Sequence, residues 1–162
     1  MIVAAFAGTG KSYFAALHPD KAVDLECMPY KYLIDPEIPF DESNKANLEL
    51  DMNPEWPHNY VEAILACPSD KIILIPSDLL VLHLLAQEKK AYYLCYPSKK
   101  AKKVYRKRYI KRGNSKKFLS IFMNRWELFM NNLRNDTYGK HIILQPNQHL
   151  SDVLDIRGIL GQ

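Results

Sequence analysis

The chain has 162 residues, 48% of them apolar and 25% charged, a composition that supports a buried core and excludes a disordered protein. Its longest apolar stretch, residues 72–86, is interrupted by Pro76, Asp78 and His83, which excludes a membrane span there. The three cysteines are far apart, and no basic leader precedes the first apolar run. We therefore expect a cytoplasmic protein with reduced thiols.

The net charge of +4 hides an uneven distribution of charge along the chain. Residues 98–117 contain eleven lysines and arginines and no acid, whereas the rest of the chain has 11 basic and 18 acidic residues, a net charge of −7. A concentrated positive segment of this kind predicts an anionic partner.

Short apolar runs alternate with helix-compatible stretches along the chain. The predicted strands are residues 2–6, 22–25, 71–75, 91–96 and 141–144. The predicted helices are residues 11–17, 57–66 and 78–88, then the basic stretch and 118–133 divided at Gly113-Asn114, and a closing helix at 151–156. Residues 28–56 have no sustained period and predict a long functional loop with one helical turn. The alternation predicts a single α/β domain over residues 1–162 with a mainly parallel, five-stranded sheet.

The strongest local signal is the run from Ala5 to Ser12, AFAGTGKS, which fits the pattern A/G-x-x-x-x-G-K-S/T between a predicted strand and a predicted helix. Gly8 and Gly10 allow a tight turn whose backbone N–H groups point at phosphate oxygens, and the helix N-terminus adds partial positive charge. Lys11 can reach the β- and γ-phosphates, and the Ser12 hydroxyl can ligate Mg²⁺. A chance match in a glycine-containing turn is the alternative. The motif predicts a three-layer P-loop NTPase fold that binds ATP and Mg²⁺ through Gly8, Thr9, Gly10, Lys11, Ser12 and Tyr13.

Part of the basic segment has the spacing of one helix face. At three- and four-residue intervals, cations alternate with aromatic hydroxyls over about one third of the helix circumference: Lys102, Tyr105, Arg108, Tyr109 and Arg112. Two arginines one turn apart make a clamp for phosphate groups. Three interpretations stay open: a helical lid over residues 98–117 that closes on the triphosphate, a surface that follows a nucleic-acid backbone, and a solvated face without a ligand.

Three carboxylates are further candidates. Asp24 and Glu26 follow the second strand at the sheet edge where ligands bind in open α/β folds, so each is a candidate for an acceptor contact or for water-mediated placement of Mg²⁺. An ordinary loop carboxylate is the alternative for both. Asp78 follows the strand at 71–75 and is a candidate either for orienting the metal or for capping the next helix.

The remaining aromatic residues and histidines are assigned no chemistry. Trp56, Tyr60 and Trp126 are predicted to pack in the core or at a hinge, with base stacking as the alternative for Trp56. The five histidines are dispersed without ligand spacing. The metal ligands predicted from the sequence are Ser12, from the motif at 5–12, and Asp78, from its position after the strand at 71–75.

Taken together, the motifs resemble the nucleoside monophosphate kinase-like P-loop proteins of phages and bacteria, a group also described as deoxynucleotide or adenylate kinase-like. The resemblance runs through nearly the whole chain. It is carried by AFAGTGKS at 5–12, DLE at 24–26, NPEWPHNYVEAI at 53–64, KIILIPSD at 71–78, YPSKKAKKVYRKRYIKRGN at 96–114 and FLSIFMNRWELFM at 118–130.

The resemblance implies an ATP-binding, Mg²⁺-dependent transferase whose basic helix is the lid. It implies that Arg108 and Arg112 meet phosphates and that residues 24–26 face the acceptor. One difference concerns the helix after the third strand, where relatives often carry an arginine. This chain has no arginine between Lys71 and Glu88, which implies weak or altered use of an acceptor phosphate.

The leading hypothesis from the sequence is a nucleotide kinase that transfers a phosphoryl group from ATP to a nucleoside or deoxynucleoside monophosphate. It assigns catalysis to Lys11, Arg108 and Arg112 and substrate contacts to Asp24, Glu26, Lys102 and Tyr105. A non-catalytic nucleotide sensor and an ATP-driven enzyme acting on nucleic acid are the alternatives. We expect small-molecule nucleotides as partners before nucleic acid, no membrane, and a monomer or homodimer.

Overall fold

A computed structural model describes residues 1–35, 37 and 50–156, together with the backbone of 158–159. Its helices are α1 (Lys11–Leu17), α2 (Met28–Lys31), α3 (His58–Ala66), α4 (Leu79–Gln87), α5 (Lys102–Lys111), α6 (Lys116–Asn124) and α7 (Trp126–Arg134). Its strands are β1 (Ile2–Ala5), β2 (Ala22–Asp24), β3 (Ile72–Pro76), β4 (Tyr92–Pro97), β5 (Lys140–Leu144), β6 (Leu154–Asp155) and β7 (Gly158–Ile159). Two 3₁₀ turns lie at Lys99–Ala101 and Leu150–Asp152. Part of the loop predicted at 28–56, residues 36 and 38–49, lies outside the described residues.

The five long strands form one parallel sheet in the order β2-β3-β1-β4-β5. β1 lies at its centre, where Ala5 is in register with Pro76 of β3 and with Cys95 of β4. The prediction of an α/β fold with a parallel, five-stranded sheet is confirmed. Because all five strands run the same way, the loops after β1, β2 and β3 meet at the same edge.

The apolar run of β3 is explained by burial on both faces of the sheet. Ile72 and Leu74 belong to the core on the side covered by α1, whereas Ile73 and Ile75 belong to the core on the opposite side. Helices therefore cover both faces of the sheet. Within the described ranges, no helix has both the length and the apolar composition that crossing a bilayer requires.

The large aromatic residues are part of the core, as predicted. Tyr60 and Trp126 are fully buried, and Trp56 is stacked on Tyr60 with ring centroids 5.6 Å apart. Tyr105 and Tyr109 of α5 are also fully buried, which ties the basic helix to the rest of the protein. All three cysteines are free thiols.

The closing helix predicted at 151–156 is wrong. A single 3₁₀ turn forms instead, because the Asp152 carboxylate accepts the His149 backbone N–H at 2.6 Å and caps the turn. The chain then extends as β6, which pairs with β7, and the Leu154 side chain is buried against the α1 side of the sheet.

The single helix predicted at 118–133 is two helices, α6 and α7, with a break at Arg125. The break turns Trp126 into the core, where its indole N–H donates to the Lys99 carbonyl at 3.1 Å. Burial of the tryptophan ring with its N–H hydrogen-bonded stabilises this change of direction.

Candidate functional site

The run from Ala5 to Ser12, here called the glycine loop, leaves the carboxyl end of the central strand. Its first residues are held by the sheet, since the Phe6 N–H donates to the Cys95 carbonyl at 2.9 Å. The backbone then turns back on itself at Gly8 and Gly10, which have φ angles of +83° and +98°. Residues with a Cβ rarely adopt these angles, which explains why both positions are glycine.

The interior of the glycine loop is lined by backbone groups. Thr9 is fully buried, and its hydroxyl donates to the Phe6 carbonyl at 2.7 Å. This bond holds residues 6 and 9 of the turn together. In the part of the chain that the structure describes, the N–H groups of Gly8, Gly10, Lys11 and Ser12 have no acceptor. A turn with several uncommitted N–H groups offers a concave surface for an anion.

The Lys11 side chain folds back over the loop, and its Nζ donates to the Ala5 carbonyl at 3.0 Å. Burial lowers the pKa of Lys11, and the charge of Arg112 lowers it further, while the carboxylates of Asp24 and Glu26 oppose the shift. A desolvated ammonium is stabilised by an anion placed beside it. Arg112 itself is exposed at the end of α5.

The structure brings Asp24, rather than Asp78, to Ser12. The Ser12 hydroxyl donates to the Asp24 carboxylate at 2.5 Å, and this bond joins the start of α1 to the end of β2. Asp78 instead caps α4 by accepting the Leu80 N–H at 3.0 Å, and it forms an ion pair with Lys31 at 3.1 Å. The capping interpretation of Asp78 is confirmed, and its metal role stays a prediction. Hydroxyl and carboxylate oxygens are the ligands that Mg²⁺ prefers, so Ser12 and Asp24 are the pair that fits this ion.

The inner face of α5 packs directly under the glycine loop. The Tyr109 hydroxyl donates to the Ala7 carbonyl at 2.9 Å. A Cβ added to Gly8 would lie 2.8 Å from Cε1 of Tyr109 and 3.4 Å from Cδ1 of Tyr105. The two tyrosines therefore support the loop from below, and contact of Tyr105 with a substrate stays a prediction.

Arg108 is bonded to three backbone carbonyls. Its guanidinium donates to the Gly8 carbonyl at 3.3 Å and to the carbonyls of Pro146 and Gln148 at 3.1 Å each, and it lies 4.6 Å above the Tyr105 ring. These bonds join the glycine loop to the segment after β5. Contact of Arg108 with phosphate and closure of a lid both stay predictions.

The other residues predicted for the site are less closely tied to the loop. Tyr13 is exposed on α1, Lys102 is exposed at the start of α5, and Glu26 is exposed just beyond β2. The roles of these three residues stay predictions.

His149 is a residue of the site that the sequence did not indicate. Its Cβ is 3.7 Å from the position of a Cβ on Gly10, and the next residue, Leu150, donates its N–H to the Thr9 carbonyl at 2.8 Å. Burial and the nearby Arg108 lower the pKa of His149, while Asp152 opposes the shift. The contact joins residues about 140 positions apart, and no local pattern could have revealed it.

Comparison with known proteins adds no family assignment to this geometry. The chain matches no protein-family model, and it matches no curated protein.

Proposed function

We propose that the glycine loop binds a nucleoside triphosphate with Mg²⁺ and that the protein transfers the terminal phosphoryl group to a small acceptor of the nucleoside or nucleotide class. In this proposal the fold is that of the P-loop NTPases. The observation that carries it is the loop itself, in which the N–H groups of Gly8, Gly10, Lys11 and Ser12 have no acceptor among the described residues and the Lys11 ammonium lies back over the loop, at the end of the central strand. This arrangement is suited to the charge of a polyphosphate.

The chemistry required of the protein is positioning and charge compensation. Lys11 would contact the outer phosphates. Burial disfavours its charged form, and the negative charge of the phosphates would stabilise that form. Ser12 would ligate Mg²⁺ directly, with Asp24 orienting the hydroxyl or a water on the ion. Arg112, exposed and close enough to perturb Lys11, is the arginine best placed to meet charge that develops during transfer.

Titration calorimetry with Mg²⁺-ATP tests the binding step. We expect Lys11→Met to weaken binding at least tenfold, because one cation and its contacts to phosphate are lost. Lys90→Met is the matched control, because Lys90 is exposed just before β4 and its replacement removes the same charge without changing the loop. Unchanged binding by Lys11→Met would refute the proposal.

Release of ADP in a coupled assay tests the transfer step. The assay is run with Mg²⁺-ATP and a panel of nucleosides and nucleoside monophosphates, and we expect release that depends on one class of acceptor. Asp24→Asn should lower the rate mainly by raising the Mg²⁺ concentration required, because a carboxylate beside Ser12 is lost. Tight binding of ATP without acceptor-dependent release would instead favour a nucleotide sensor.

One observation favours a second candidate, an ATP-dependent enzyme that acts on nucleic acid. Six cations on α5 and its end are exposed and pair with no acid among the described residues: Lys102, Lys103, Arg106, Lys107, Lys111 and Arg112. Such a surface suits a phosphate backbone. ADP release stimulated by a single-stranded oligonucleotide, and lost steeply as salt rises from 50 to about 200 mM, would support this candidate.

A further inference from the structure

A pocket of about 420 Å³ opens beside the glycine loop. Phe6 and Ala7 line it from the loop, residues 76–80 line it from the end of β3 and the start of α4, and Phe122 and Phe129 close it from α6 and α7. Its volume lies in the lower part of the range of roughly 300–1,000 Å³ that holds small molecules.

The position of the pocket follows from the strand order. β1 and β3 are neighbours, but α1 after β1 covers one face of the sheet and α4 after β3 covers the other, as the core contacts of Phe14 and of Val81 show. The two connections therefore leave in opposite directions and open a crevice at the carboxyl ends of the strands. Ligands of open α/β sheets bind in a crevice of this kind.

The walls of the pocket suit a flat ring. Phe6, Phe122 and Phe129 form an aromatic group, with centroid distances of 5.6 Å for Phe6 to Phe122, 6.0 Å for Phe6 to Phe129 and 5.3 Å for Phe122 to Phe129. Aromatic faces and edges contact planar ligands favourably. Leu79 and Leu80 add apolar contacts on the side of α4.

The polar groups of the pocket define what the ring must carry. They are Ser77, Asp78 and Asn132, and no lysine or arginine is among the described residues that line it. Asp78 accepts one bond at each carboxylate oxygen, from Leu80 and from Lys31, and its side chain is still 21% exposed. A carboxylate has about four acceptor positions and no donor. Asp78 can therefore accept a further hydrogen bond from a ligand but cannot donate one.

We infer that this pocket is a subsite for an uncharged planar heterocycle with an exocyclic amino group, and that Asp78 accepts a hydrogen bond from that amino group. An anion in the pocket would lie in apolar surroundings beside a carboxylate and without a lining cation, which is unfavourable. The inference deepens the proposed function, because Ala7 belongs both to the pocket and to the glycine loop and so places the ring where an acceptor would lie. Recognition then depends on the ring, and a phosphate on the ligand adds little affinity.

The experiment measures binding by calorimetry without ATP, so it does not depend on phosphoryl transfer. The ligands are adenosine, guanosine and cytidine, each compared with the analogue that lacks the exocyclic amino group: purine riboside, inosine and 2-pyrimidinone riboside. We expect at least one amino nucleoside to bind about tenfold more tightly than its analogue, and its 5′-monophosphate to bind within threefold of the nucleoside.

Two pairs of variants locate the binding. Asp78→Asn keeps one oxygen, which caps α4 by accepting the Leu80 N–H, and replaces the second oxygen by an NH₂ group that donates, so it should remove the tenfold preference. Its control, Lys31→Gln, removes the other half of the ion pair and should keep the preference. Leu80→Trp fills the pocket and should weaken nucleoside binding at least tenfold, whereas Leu128→Trp, on a residue that is similarly exposed but lies outside the pocket, should not.

The outcomes separate this inference from the proposed function. If no nucleoside binds at millimolar concentration while Mg²⁺-ATP still binds in a Lys11-dependent way, the inference fails and the proposed function stands. Equal binding of amino and non-amino rings, or unchanged binding by Leu80→Trp, also overturns it. A monophosphate that binds more than tenfold more tightly than its nucleoside would show that a phosphate site, not the ring, dominates recognition.

Discussion

The two faces of α5 carry the same kind of charge in opposite surroundings. On the inner face, Arg108 donates to three carbonyls and Tyr109 to a fourth, and all four acceptors lie in the glycine loop or in the segment after β5. On the outer face, Arg106 and Lys107 are exposed and make no ion pair with the described residues.

A high density of positive charge in a sequence therefore does not show which of its residues support the fold and which face solvent. Inner-face residues fix the shape of the glycine loop, so their loss should lower stability. Outer-face residues contact solvent, so their loss should alter only the response to an anionic partner.

Gly8→Ala should destabilise the protein by about 2–4 kcal/mol. Two costs add: an L-residue at a φ of +83°, and a Cβ placed 2.8 Å from the Tyr109 ring. Urea denaturation followed by circular dichroism measures the change in the free energy of unfolding.

Gly113→Ala is the control for that substitution. Gly113 ends α5 with a φ of +77°, but a Cβ there would have no atom within 4 Å. Backbone strain alone should cost about 1 kcal/mol. Equal losses for the two variants would mean that α5 does not press against the loop.

Arg108→Gln should destabilise the protein by about 1.5–3 kcal/mol, because three carbonyls lose a charged donor. Arg106→Gln removes the same charge two residues earlier, on the exposed outer face, and should change stability by no more than about 0.5 kcal/mol. The two variants are compared by thermal and urea unfolding at the same pH. Equal stability of the pair would contradict the contrast between the two faces.

The sequence predicted those parts of the molecule that depend on local pattern. The glycine loop was predicted because its glycines, lysine and serine are contiguous, and the parallel sheet because apolar runs such as 71–75 are too short and too continuous for surface helices. The inner face of α5 was also predicted, from residues spaced by three and four. Its burial was not, because a stripe of tyrosines has the same spacing whether it meets a ligand or a core.

What the sequence did not predict depends on contacts between distant residues. The pocket needs Phe6 beside Phe122 and Phe129, which follow it by more than 100 positions and lie on two helices divided at Arg125. The pairing of Ser12 with Asp24 depends on where β2 ends relative to α1. Strand order and helix breaks decide such contacts, and neither is encoded in a short window of residues.

A smaller change in stability is expected from the titration of His149, whose side chain contacts the glycine loop at Gly10. Burial and Arg108 lower its pKa in the folded protein, and Asp152 opposes them. Between this lowered pKa and the usual value near 6.5, the unfolded chain therefore binds more protons at His149 than the folded protein does, so the free energy of unfolding should rise as pH rises through that range. The change should be a fraction of a kcal/mol, because the side chain is about half exposed to solvent.

Proton NMR titration of the His149 ring, assigned by the loss of its signal in His149→Gln, measures this pKa directly. Asp152→Asn should lower the value further, because the carboxylate that favours the charged ring is lost. Mg²⁺-ATP should raise it, because phosphates bound in the glycine loop would bring negative charge near Gly10 and the imidazole beside it. A titration curve that ATP leaves unchanged, under conditions where calorimetry shows saturation, would place the triphosphate away from Gly10 and so away from the loop.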